Sequence, residues 1–279
     1  MPTYGWGCVS EMENKSIREL GVQQWNEVEK QLFELLEDRY QRYNVLSYID
    51  DDPIQIPHLF SRKEDIEIAA FLTSSIAWGQ RKTIIRNSRE LMQLMDFQPY
   101  DFVKHAGHDD IELFDRFVHR TFNGIDCRFF VESLQNIYLH HGGLEQVVTK
   151  GYLQDKTAFS ALAYLREVFL SIPHANRSEK HLSSVVAGSA AKRLNMLLRW
   201  LVRRDKVGVD FGIWKSIPMS ALMIPLDVHV GRIGRSLGLL TRRQDDWQAV
   251  EELTAQLRIF DAQDPGKYDY ALFGMGTNE

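Results

Sequence analysis

Thiols are scarce in this 279-residue chain: Cys8 and Cys127 are its two cysteines. That excludes a disulfide framework and a four-cysteine iron–sulfur cluster made by this chain alone. No apolar run reaches the roughly 18 residues of a membrane span, and no stretch reads as a signal peptide, so a cytoplasmic protein without a membrane partner is expected. Strand-like alternation of period two is also missing, which points to an all-α fold. Nor is there a surplus of positive charge. With 33 Lys and Arg against 38 Asp and Glu, the formal net charge is −5, which argues mildly against a general nucleic-acid coat protein. What is present is ordinary for a soluble globular chain, 44% hydrophobic and 25% charged, long enough for one large or two interleaved domains with a sizeable core.

Residues 1–23 carry no sustained periodicity and are expected to form an arm. From Gln24 to about Asn44 the spacing predicts a helix with Trp25, Val28, Leu32 and Leu35 or Leu36 inward,. A connector with Pro53 and Pro57 follows. Ser61 and Glu64 form a capping-box pattern ahead of a nearly all-apolar helix through Ile66, Ala69, Ala70, Thr73 and Ala77, ending near Gly79,. Another helix is expected from Lys82 to about Met95, then a connection over Pro99–Gly107. Helical segments are predicted at about Ile111–Val118, Arg128–His140, Ala158–Phe169 and Asp246–Leu257, with a loop over Ser171–Lys180. His140 and His141 lack a carboxylate at ligand spacing, so no metal is expected there.

The chain is organised around Val186–Leu240. At 100° per residue, Leu194, Leu197, Leu198 and Leu201 fall on one side of a helix, and Lys192, Asn195, Arg199 and Arg203 on the other,. Gly188, Ala190 and Ala191 leave the preceding turn small, and the helix start that follows favours a phosphate. Pro225 biases Ile224 toward extended backbone, which places Asp227 at the N-cap of a helix burying Val230, Ile233 and Leu237,. A carboxylate can cap a helix with one oxygen and present the other to a ligand. Lys192, Arg193, Arg199, Arg203, Arg204 and Lys206, against Asp205 alone, with Arg232, Arg235, Arg242 and Arg243 nearby, predict a focused basic face on an acidic body,.

V-A-G-S-A-A-K-R and L-D-V-H-V-G-R-I-G-R-S-L-G-L resemble the paired signatures of the helix-hairpin-helix DNA glycosylases, the endonuclease III-like superfamily. Gly188 falls on the first hairpin glycine, Lys192 on the catalytic lysine and Asp227 on the catalytic aspartate. Ala190 replaces the second hairpin glycine. The separation from Lys192 to Asp227 exceeds the usual family spacing and resembles that of the archaeal 8-oxoguanine glycosylase branch. F-L-T-S-S-I-A-W-G-Q-R-K resembles the segment whose turn fills the gap left by an extruded base, with Gln80, then Arg81, at that position. The chain as a whole is similar to a bacterial family catalogued only as domain of unknown function 2400.

The resemblance implies a two-lobed helical bundle over residues 24–279, with the hairpin and catalytic helices at about 183–240 and a DNA cleft between the lobes. It implies a base-excision glycosylase and abasic-site lyase that removes a damaged base, 8-oxoguanine among the candidates, from double-stranded DNA. The enzyme would be a monomer in the nucleoid, with no cofactor. Gly188, Ser189, Ala190, Gln80, Arg81, Asn195, Arg199, His229 and Arg232 are the implied DNA contacts. Two alternatives stay open: a non-catalytic DNA-structure-binding protein on the same fold, and a helical protein using the scaffold for something else.

Overall fold

The computed structural model describes residues 25–278, so the arm expected over residues 1–23 lies outside the described residues. The fold is all-α apart from one small hairpin. Helix α1 (Glu27–Tyr43) is capped reciprocally, Asn26 accepting from the Glu29 amide and Glu29 from the Asn26 amide,. Its inward stripe starts later than the periodicity suggests. Leu36 is fully buried and Leu32 and Leu35 pack on the core, whereas Val28 is 73% exposed. After the short α2 (Tyr48–Asp51) come two 3-10 turns led by Pro53 and Pro57, then α3 (Lys63–Ser75).

Helix α3 is the central rod anticipated from its composition, buried from Ile66 through Ser75. Ser61 does not cap it; Arg62 is the N-cap residue, with no side-chain cap bond, and its guanidinium lies 3.0 Å from Asp101. Glu67 is the charged exception inside the rod. It accepts 2.7 Å hydrogen bonds from Tyr138 Oη and Trp214 Nε1, and its carboxylate is 3.6 Å from Lys63.

Helix α4 (Arg81–Leu94) buries Ile84, Leu91 and Met92, with Met95 buried at its end. The expected connection over Pro99–Gly107 is instead a helix, α5 (Pro99–His105). Proline sits in its first turn, where no amide is needed, and Asp65 accepts from the Tyr100 amide,. The segment predicted as a helix at Ile111–Val118 is split into α6 (His108–Glu112), a 3-10 turn to Arg116, and strand β1 (Val118–His119) paired antiparallel with β2 (Phe122–Asn123). Helices α7 (Gly124–His140), α8 (Leu144–Asp155) and α9 (Ala158–Phe169) follow. The periodicity did not announce α8, because Gly151 interrupts it. That glycine exists for close approach to α9: a methyl group there would stand 2.8 Å from the Ser160 carbonyl oxygen.

The remaining helices are α10 (Lys192–Val202), α11 (Val228–Ser236), α12 (Trp247–Phe260) and α13 (Tyr268–Asn278). Helix α13 lies between α1 and α11. Two glycines make this possible, since a methyl group at Gly274 would collide with the Tyr43 ring and one at Gly276 would stand 3.0 Å from His229 Cβ. The two ends of the described chain are thereby joined, and α10 packs on α3 beside them. No helix among the described residues is long and apolar enough to cross a membrane.

Candidate functional site

The turn before α10 is built by backbone geometry. Gly188 has φ +83°, and its carbonyl accepts from the Trp247 amide at 3.0 Å. Ala191, the residue before the helix, also sits in the left-handed region, at φ +46°. This places the second left-handed residue one position beyond Ala190, where the hairpin signature carries its second glycine. Ser189 Oγ accepts from the Ala191 amide, and Asn195 Nδ2 donates to the Ala190 carbonyl at 3.1 Å. No side chain caps α10 and its first turn holds no acid. The helix therefore starts with Lys192 and Arg193 against its own positive dipole end, an arrangement that favours an anion nearby.

Asp227 does both things its position allows. Its Oδ1 accepts from the amides of His229 and Val230, each at 3.0 Å, which caps α11. Its Oδ2 lies 3.7 Å from Lys192 Nζ. Their side chains are 28% and 22% exposed, and a pair that wet contributes about 0.2–1 kcal/mol. That is too little for the fold to depend on it, so stability alone does not account for bringing this lysine and this carboxylate together.

Lys192 and Asp227 lie on the wall of a cleft of about 530 Å³. Its lining also includes Ala77, Trp78, Gly79, Arg81 and Ile84, and Tyr48, Asp269 and Phe273. Lys192 Nζ is 6.0 Å from the centre of the Phe273 ring, and the Arg81 guanidinium is 5.8 Å from it, so the starts of α10 and α4 converge on one aromatic face. Trp78 is held as a wall. The Arg193 guanidinium covers its ring at 4.7 Å, His181 stacks near-parallel at 5.8 Å, and His119 meets it edge-on at 4.9 Å. His119 Nε2 donates to the Trp78 carbonyl and its Nδ1 accepts from Asn87. Burial holds that imidazole below its usual range, helped by the charges of Arg120, Arg193 and Arg86.

Of the residues singled out from sequence, Lys192, Asp227, Arg81, His229 and Arg199 line this cleft. Gly188, Ser189 and Ala190 form the adjoining turn, all at least partly accessible. Gln80 is the exposed N-cap residue of α4. His229 Nδ1 and Arg232 Nη2 both donate to the Gly276 carbonyl, anchoring α11 to α13. Three assignments change. Asn195 is fully buried and Arg199 is 2% exposed, so neither reaches a DNA backbone. Asn195 instead fastens the turn, and Arg199 pairs with Asp269 and, at 3.4 Å, with Asp210. Of the predicted basic face, Arg199 and Arg203 are withdrawn into the core, whereas Arg204, Lys206, Arg232 and Arg243 are exposed. Arg203, 0% exposed, contacts Asp205, Asp210 and Asp264 at 2.8–3.0 Å and donates to Tyr40 Oη on α1. Arg235 and Arg242 are likewise paired, with Asp245 and Asp246.

Asp269 and Phe273 were not foreseen. Their spacing of four puts both on one face of α13, which could have marked them. Burial pushes the Asp269 carboxyl up to about 6, opposed by Arg199 and Lys192 and reinforced by Asp227. Desolvation likewise lifts Asp264 to about 6. Burial lowers Arg193 to about 10; it has no carboxylate partner among the described residues, and donates to the Ser75 and His181 carbonyls. No group of three or more His, Cys, Asp or Glu among the described residues could hold a metal ion.

Residues 52–278 match the model of a family described as protein of unknown function (DUF2400), and the chain belongs to that family. No curated protein and no solved structure matches it.

Proposed function

We propose that this DUF2400 member is a DNA base-excision glycosylase with abasic-site lyase activity, acting on a damaged base in duplex DNA. The observation that carries the reading is the convergence of Lys192 and Asp227 at 3.7 Å inside a cleft, from two segments that resemble the glycosylase signatures. The joining of α1 to α13, with the cleft lined from α4, α10, α11 and α13, supports the helix-hairpin-helix glycosylase fold with its two lobes. A base stacked in a duplex hides its glycosidic bond, so the nucleotide must be turned out, at a cost of a few kcal/mol that is least for a damaged base. A cleft of about 530 Å³ lined by Phe273 and Asp269 is a fitting receptor.

In this reading the unprotonated Lys192 amine attacks the sugar C1′. The new N–C bond forms as the glycosidic bond breaks, and the base leaves with the electron pair and takes up a proton. Opening of the sugar ring yields a Schiff base, from which loss of a proton at C2′ expels the 3′ phosphate. Asp227 stabilises the positive charge that develops on the sugar while its other oxygen keeps α11 capped,. No cofactor enters.

The test is borohydride trapping on duplexes carrying 8-oxoguanine, uracil, an alkylated purine or an abasic site. A covalent adduct on a base-containing duplex, absent in Lys192→Gln, is the expected result. Salt-sensitive binding without any adduct assigns the chain to non-catalytic DNA-structure binding instead.

A further inference from the structure

Exposed cations without a carboxylate partner among the described residues include Arg204, Lys206, Arg232 and Arg243 of the stretch singled out from sequence, and a second group lies on another helix. Helix α4 carries Arg81, Lys82, Arg86 and Arg89, all exposed, against the single acid Glu90. At 100° per residue Lys82, Arg86 and Arg89 fall within about 60° of one another, opposite the buried Ile84, Ser88 and Leu91,. None has a carboxylate partner among the described residues, whereas Arg235 and Arg242 are both paired. Arg120, exposed at the turn between β1 and β2, lies against the start of this helix: a methyl group at Gly79 would stand 2.9 Å from its Nη1. The charges of Arg86 and Arg120 both reach His119, whose Nε2 donates to the Trp78 carbonyl. The cations of this rim come from separate segments and run outward from the cleft edge that Arg81 lines.

We infer that the α4 rim, Lys82, Arg86 and Arg89 with Arg120, is a docking surface for the phosphate backbone of duplex DNA, continuing from the cleft that Arg81 and Lys192 line. The inference rests on the DNA reading above and adds a second anchor to it. Its warrant is charge complementarity. The protein as a whole is negative, so an uncompensated basic row beside a cleft steers and orients a polyanion locally. From Lys82 to Arg89 the helix advances about 10 Å at 1.5 Å per residue, on the order of three base steps at 3.4 Å each. Contacts to consecutive phosphates hold register without reading sequence.

The experiment compares the wild type with Lys82→Gln/Arg86→Gln/Arg89→Gln in the full chain, measuring duplex affinity by fluorescence anisotropy from about 50 to 200 mM salt. Each phosphate contact removed should make the slope of log K against log salt shallower by about 0.9. Arg235→Gln/Arg242→Gln should leave the slope alone. Lys82 lies in the first turn of α4, where an uncharged residue suits the helix dipole better, and Arg86 and Arg89 are exposed, where substitutions cost little, so the triple variant should keep its Tm; should it unfold, Arg89→Gln alone carries the same test at one contact. A folded variant with the wild-type slope overturns this inference and leaves the glycosylase reading standing. A wild type that shows no salt-sensitive duplex binding overturns both.

Discussion

Helices α4 and α10 each carry a row of basic residues, and the fold treats the two rows in opposite ways. On α10 the row is drawn inward. Arg199 and Arg203 are almost fully buried and neutralised by aspartates from three other segments, and Arg199 lines the cleft, with Lys192 and Arg193 of the first turn, as an already paired group. On α4 the row stays in water without a carboxylate partner among the described residues. The difference teaches that a basic stretch is evidence for an interaction surface only after its acids have been located. Buried guanidiniums hold the molecule together, and exposed unpaired ones are available to something else.

The contrast breaks most visibly on stability. Arg203→Ala leaves Asp264 buried without its ion-pair partner and Asp210 with Arg199 alone, and loss of one partner of such a group costs about 3–5 kcal/mol. A single exposed change on α4, such as Arg89→Gln, costs within about 0.5 kcal/mol. Urea unfolding of both variants measures the gap. A loss below about 1 kcal/mol for Arg203→Ala would show the buried network to be dispensable.

A smaller effect, at most about 3 kcal/mol, lies in the pH dependence of the same network. Folded Asp269 takes up its proton at about 6, whereas an unfolded aspartate does so near 3.9, roughly two units lower. Between those values the folded chain holds the extra proton. This carboxyl's stabilising contribution is therefore complete below about pH 4 and lost as the pH rises through about 6. Asp264 acts in the same direction. Asp269→Asn, compared with wild type by thermal unfolding at several pH values, should show a less negative slope of stability against pH over that window. An identical slope would mean that Asp269 does not titrate there.

The smallest effect on stability sharpens the cleft end of the comparison. Asp227→Ala removes the cap of α11 and should cost about 1 kcal/mol. Asp227→Asn can still accept from the His229 and Val230 amides and should cost only a few tenths. Both should lose base excision, measured as release of base and strand cleavage under saturating enzyme. If Asp227→Asn excises as the wild type does, the carboxylate is a cap and nothing more.

Much of this was legible beforehand because it is local. The Leu194–Leu201 stripe is buried as its spacing requires. Asp227 caps α11 because Pro225 stops the preceding backbone from being helical and an oxygen acceptor is needed at that point,. The misreadings share a different cause. Asn195 and Arg199 looked like solvent-facing residues because periodicity reports which side of a helix a residue is on, not what covers that side. Helix α8 escaped notice because Gly151, chosen for contact with α9, broke its pattern, and the β-hairpin is too short to show alternation.

The sequence by itself determined where most of the helices run, that Lys192 opens one and Asp227 caps another, and that no cysteine framework holds them. These follow from residue spacing, proline geometry and capping, which act over a few positions. Tertiary structure alone decided that Lys192 and Asp227 meet, that Asp269 and Phe273 line the cleft with them, and that Arg199 and Arg203 are buried and paired while the basic row of α4 stays exposed. Each of those outcomes depends on charges and rings brought together from segments far apart in the chain. A buried guanidinium requires a buried carboxylate to offset its lost hydration, and only the packing of α10 against α13 and its neighbouring loops supplies one.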